Sequence, residues 1–135
     1  MSRAFAFVVL SLVFGMLIFG CTAKVSAKAW PPVNVAQCDD PSTLSAGHTQ
    51  EDCYFYFGAA KGNASICGNV QGAAKEDCYY SYALSTDKVA ACDLMSGGAK
   101  KDDCYTNVGI STKNATVCER ISDSTMQKSC MRYSK

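Results

Sequence analysis

The triplet Asp-Cys-Tyr occurs at Asp52-Cys53-Tyr54, Asp77-Cys78-Tyr79 and Asp103-Cys104-Tyr105, at nearly equal intervals. A second cysteine follows each of these by 14 positions, at Cys67, Cys92 and Cys118. Cys130, with Met131 in place of tyrosine, opens a truncated fourth copy, and Cys38 stands as the tail of a missing earlier one. Val35-Ala36-Gln37-Cys38 echoes Val89-Ala90-Ala91-Cys92. A steady period with shared neighbours is the signature of stacked repeats, in which one unit cannot bury its apolar face alone.

Each copy reads as two short helices. Helix A runs from an acidic pair through the aromatic residues, as in Glu76-Asp77-Cys78-Tyr79-Tyr80-Ser81-Tyr82-Ala83-Leu84. Residues four apart share a face, so Cys53 aligns with Phe57, Cys78 with Tyr82 and Cys104 with Val108. A neighbouring lane sets Tyr54 beside Gly58, Tyr79 beside Ala83 and Tyr105 beside Gly109, a ring next to a small residue that permits close helix approach. Helix B is shorter, over 64–70, 88–95 and 115–121. Asn63 and Asn114 stand at the N-cap position, and Asp87 takes it with a one-residue offset. The acidic pairs Glu51-Asp52, Glu76-Asp77 and Asp102-Asp103 read as first-turn charges stabilised by free backbone N–H groups. The fold expected is all-α: a small α-solenoid of disulfide-stapled helical hairpins over 36–135, behind an N-terminal hydrophobic segment.

Helices this short are marginal in water, so covalent staples are expected to supply the missing stability. The body cysteines alternate between B and A types. Joining each B to the next A gives Cys38–Cys53, Cys67–Cys78, Cys92–Cys104 and Cys118–Cys130 and strands none. Joining each A to the following B would leave Cys38 and Cys130 at opposite ends, although a Cys78–Cys92 bridge remains sterically open. Gly97-Gly98 and Gly72 fall near the midpoints of the B-to-A segments, where a hairpin would fold. Each bridge closes a loop worth on the order of 3 kcal/mol in the chain-entropy model.

The first segment reads as a targeting element. Arg3 is followed by an uncharged, largely apolar run from Ala4 to Gly20, and then by Cys21. This arrangement resembles a prokaryotic lipoprotein signal, which implies lipidation of Cys21 and loss of residues 1–20. The alternative is an uncleaved anchor, and a run of this length lies at the short limit of a span. Residues 21–35, with Pro31-Pro32, read as a tether. Trp30 reads as a packing residue that caps the first repeat, or else as an interfacial anchor. Both readings of the leader put the rest of the chain on the extracytoplasmic face of a cell membrane, where disulfides persist.

The Asp-Cys-Tyr triplets, together with Asn63-Ala64-Ser65-Ile66-Cys67 and Asn114-Ala115-Thr116-Val117-Cys118, are similar to a cysteine-bearing short helical repeat. It recurs in uncharacterised archaeal and bacterial surface proteins. The resemblance spans about residues 36 to 130 and implies fold and location, with no activity attached.

Arg3 is the only charge in the leader, so the chain's formal +1 leaves a neutral remainder. Such a body has no basic footprint for nucleic acid. No two body cysteines lie closer than 11 positions, unlike the close pairs of zinc sites, and no haem motif or phosphate loop occurs, so neither metal nor cofactor is expected. His48, the single histidine, lies in a loop without a nucleophile motif. No enzyme is therefore expected. The expectation is a structural or protein-interaction module whose partner is an envelope protein or a glycan. An extracytoplasmic enzyme, or an accessory subunit of an envelope enzyme complex, is the alternative. Four aromatics in a row, Tyr54 to Phe57, cannot all point inward. Tyr54, Phe55, Tyr56, Tyr79 and Tyr80 are therefore the candidate partner surface. Asn63 and Asn114 also lie in N-glycosylation sequons, with helix capping the favoured explanation of their shared position.

Overall fold

The computed structural model describes residues 30–135; the leader, Cys21 and the first part of the tether lie outside them. Among the described residues the chain is helical, without strands. The A-type helices are α1 (Gln50–Phe55), α2 (Gly72–Thr86), α4 (Ala99–Ser111) and α6 (Ser124–Tyr133). The B-type elements are 3-10 turns at Val35–Asp39 and Ala64–Asn69, then α3 (Val89–Asp93) and α5 (Ala115–Cys118). Successive A-type helices pack on one another. The π turn Tyr56–Ala60 that continues α1 meets α2, α2 meets α4, and α4 meets α6.

Disulfides join Cys38–Cys53, Cys67–Cys78, Cys92–Cys104 and Cys118–Cys130, with Cα separations of 5.5, 5.5, 5.8 and 5.6 Å. These values suit a bridge. The pairing is the B-to-next-A ladder that the alternation of cysteine types predicts. All eight of these cysteines are fully buried, so the bridges form the axis of the core. Tyr54, Tyr79 and Tyr105 flank them, and Val70, Met95 and Ile121 close the B-type elements beneath.

The small residues of the tyrosine lane receive something other than a helix backbone. A Cβ placed on Gly58 would lie 2.6 Å from Cys78 Sγ and 2.7 Å from Cys67 Sγ. One on Gly109 would lie 3.0 and 3.1 Å from the sulfurs of Cys130 and Cys118. The Cys67–Cys78 and Cys118–Cys130 bridges are thus each seated on the preceding A-type segment, five positions past that segment's own cysteine. Ala83, fully buried, occupies the same place in the middle copy. The carbonyls of these three residues accept the N–H groups of Asn63, Lys88 and Asn114 at 3.0, 3.2 and 2.9 Å. The intervening Gly62, Asp87 and Lys113 have φ of 76, 53 and 51°. This left-handed corner ends the A-type helix and turns the chain into the B element.

Two expectations change. Asp87 does not cap α3: it is the left-handed residue itself, its carboxylate accepts the Ser111 hydroxyl at 2.6 Å, and Lys88 fills the cap position without a side-chain bond. The second and third B helices are shorter than their sequence windows, because i−3 bonds from Met95 to Cys92 and from Ile121 to Cys118 tighten their ends. Trp30 packs on the core, as its reading as a cap of the first repeat expects; Val35 also packs there, and Pro32 is buried.

The seat makes a strong prediction. Gly58→Ala drives a methyl into two covalently fixed sulfurs, and overpacking of this kind costs roughly 1–3 kcal/mol. Gly109→Ala meets looser contacts, and the gain in helix propensity of up to about 1 kcal/mol offsets them. Thermal melts should show a clear drop for the first variant and little change for the second. Equal behaviour would mean that the sulfurs do not constrain this position.

Candidate functional site

Asp39 and Asp93 directly follow the B-type cysteines Cys38 and Cys92, just as Tyr54 and Tyr105 directly follow the A-type cysteines Cys53 and Cys104. The bridges bring these neighbours together. The Tyr54 hydroxyl donates to Asp39 Oδ1, and the Tyr105 hydroxyl donates to Asp93 Oδ1 at 2.8 Å. Two rungs therefore carry a partly buried tyrosine–carboxylate bond beside the disulfide. Asp93 also receives Arg120 Nη1 at 2.8 and 2.9 Å. Partial burial opposes ionisation of Asp93, but the bonds from Tyr105 and Arg120 outweigh it and hold the carboxyl below its ordinary range. Burial and the adjacent carboxylate push the Tyr105 phenol up to about 12. The other rungs lack the pair. Tyr79 faces Gly68, whose Cβ would sit 3.7 Å from its hydroxyl, and Met131 replaces the tyrosine at Cys130.

The acidic pairs have roles that their place before the cysteine does not announce. The first acid of each reaches forward to a later turn. Glu51 accepts from Gln71 N at 3.3 Å, Glu76 from Ser96 N and Oγ at 3.2 and 2.9 Å, and Asp102 from Ser122 N and Asp123 N at 2.9 and 3.0 Å. Glu76 and Asp77 are not first-turn residues, because α2 begins at Gly72. The second acids diverge. Asp52 forms a capping box with Thr49, whose bonds to the carboxylate lower its pKa. Asp77 pairs with Lys100, and Asp103 accepts the Tyr80 hydroxyl at 2.6 Å.

The candidate aromatic surface is largely occupied by internal contacts. Tyr54 and Tyr79 are core residues, 8% and 6% exposed, and do not present a contact surface. Phe55 is half-buried against the core. Tyr56 lies under Trp30, ring centroids 6.2 Å apart, with Lys61 Nζ 5.7 Å from its own ring. Tyr80 is tied across to α4 by Asp103 and by Asn107 Nδ2 at 3.2 Å, and burial together with Asp103 raises its phenol to about 12. Of Tyr54 to Phe57 none stands fully exposed, since the ring that cannot point inward is covered by Trp30. His48 stacks on Trp30 in the same cluster, 3.7 Å away and nearly parallel to it.

Asn63 and Asn114 do cap their B elements. Asn63 Oδ1 accepts from Ser65 N at 3.2 Å, and Asn114 Oδ1 accepts from Thr116 N at 3.1 Å. Cys21 lies outside the described residues. Among the described residues no helix is long and apolar enough to cross a membrane, and no three His, Cys, Asp or Glu side chains converge as metal ligands. Shallow clefts on α6 share Lys128 and Arg132. Comparison of the chain with family models, curated proteins and solved structures finds no match.

Neither the tyrosine–carboxylate rungs nor the forward-reaching acids follow from the local sequence. The available signal is the recurrence of Asp after Cys38 and Cys92, read together with the Tyr after their bridge partners. The bare rung offers a test. Gly68→Asp places a carboxylate beside the Tyr79 hydroxyl, and such a bond is worth about 0.5–1.5 kcal/mol. Its melting temperature should exceed that of Gly68→Ala, which controls for lost glycine freedom. No gain over the alanine variant would show that the rung bond adds nothing at this position.

Proposed function

We propose that this chain is an extracytoplasmic, membrane-tethered structural or protein-interaction module. Its short hairpins stack as a small solenoid held near the membrane by its N-terminus. The observation that carries this reading is the core of four fully buried disulfides. A fold whose central packing atoms are oxidised sulfurs needs a compartment in which disulfides form and persist. Arg3, the apolar run from Ala4 to Gly20 and Cys21 supply an export signal and a lipid attachment point. Carboxylates and tyrosines that are consumed in holding the repeats together favour a scaffold over a catalyst. The partner is an envelope protein or glycan, met through surface outside the buried tyrosines. The lipoprotein and surface-repeat resemblances point the same way.

Cell fractionation of wild type and Cys21→Ser tests this. Wild type should partition with membranes, lack residues 1–20 and carry lipid on Cys21, whereas the variant should lose the lipid mass and its detergent partitioning. A variant that partitions like wild type and retains its leader would replace the lipid with an uncleaved anchor. A cytoplasmic protein with reduced cysteines would defeat the reading as a whole.

A further inference from the structure

We propose that Asn63 and Asn114 are N-glycosylated, each bearing an oligosaccharide on Nδ2; this rests on the extracytoplasmic reading above. The two sequons occupy the same position of the repeat, immediately after the left-handed corner that ends an A-type helix. That corner projects from the stack. Residues 61–63 and Ser65 are exposed around the first site, and residues 111–116 are all exposed around the second.

Capping and glycosylation do not compete for the same atom. Asn63 Oδ1 accepts from Ser65 N and from Ser65 Oγ at 2.6 Å, and Asn114 Oδ1 accepts from Thr116 N and from Thr116 Oγ1 at 2.7 Å. All four bonds end on oxygen. The Nδ2 amide makes no hydrogen bond to the described residues in either case and is the end of the carboxamide that a sugar takes. Nor does the fold require an amide here. A cap needs only an acceptor, which Asp123 provides at α6 by accepting from Thr125 N and Met126 N. Lys88 shows that the B element forms with no side-chain cap whatever. The hydroxyl two residues on reinforces the cap, whereas the amide is a choice that the architecture leaves open, and the sequon chemistry explains it.

The reaction is a substitution at the anomeric carbon of a lipid-phosphate-linked or lipid-pyrophosphate-linked oligosaccharide. The Nδ2–C1 bond forms, the C1–O bond breaks, the lipid phosphate leaves with the electron pair, and one amide proton is lost. No oxidant or reductant enters. The middle copy, with Lys88-Val89-Ala90, stays bare, so the sugars mark the first and third repeats.

Glycopeptide and intact-mass analysis of the full chain from its own cells decides the matter. The expected result is a sugar increment on the Asn63 and Asn114 peptides. Asn63→Asp and Asn114→Asp keep the cap oxygen, so each should lose one increment with an unchanged melting temperature. Lys88→Asn combined with Ala90→Thr should add a third. Bare asparagines in membrane-derived, disulfide-bonded protein would overturn the glycans and leave the export reading standing. Bare asparagines in reduced cytoplasmic protein would overturn both.

Discussion

The contact on which the rest of the structure depends is that of a disulfide lying on a residue with little or no side chain. Gly58 and Gly109 leave room for sulfur where a methyl would collide or crowd, and Ala83 keeps the same lane narrow. The same residues accept the backbone bond that ends the A-type helix and starts the corner. Packing and chain reversal are thereby locked to one position. The seat lies five positions past the A-type cysteine, and the helix ends shortly after it, at Thr86 in α2 and Ser111 in α4. The repeat period follows from the distance between one seat and the next. A small helical domain made this way need not gather a wide apolar core, because sulfur and tyrosine fill a narrow one.

The charges serve the same architecture. Glu51, Glu76 and Asp102 each bind backbone N–H groups of the turn that leads into the next A-type helix, so every copy fixes the entry to its successor. Tyr54 and Tyr105 lock onto the carboxylates that follow the partner cysteine. Partly buried bonds such as that of Tyr105 to Asp93 matter more than the exposed Lys100–Asp77 pair, which solvent screens. Taken together, these links make the stack a chain of near-neighbour couplings, as expected of repeat proteins.

Much of this is legible in the cysteines. Their period marks the repeat, and their alternation favours the order of bridges, because only one pairing of neighbours leaves no sulfur stranded. Asn63 and Asn114 are readable as caps from local chemistry alone. What escapes depends on distance in the chain. No local rule says that Glu76 reaches Ser96, or that Tyr80 finds Asp103; such bonds exist only once the stack has formed. Asp87 misleads for a related reason. Its residue type suits a cap, yet the copy-to-copy register puts it on the left-handed residue, and register outranks propensity. The aromatic run reads as surface because the helical period leaves one ring facing outward; the sequence does not say that Trp30, read there as a packing cap, is the residue that covers Tyr56.

Bridges from each B-type element to the next A-type helix organise the fold, and those at Cys67–Cys78 and Cys118–Cys130 sit on a glycine of the preceding A-type segment. Non-reducing peptide mapping of the native protein tests this most directly. Peptides joining Cys38–Cys53, Cys67–Cys78, Cys92–Cys104 and Cys118–Cys130 should be recovered, and no others. Recovery of a Cys53–Cys67 or Cys78–Cys92 peptide would contradict this organisation, since each would bridge within a copy and leave the small-residue seats without their sulfurs.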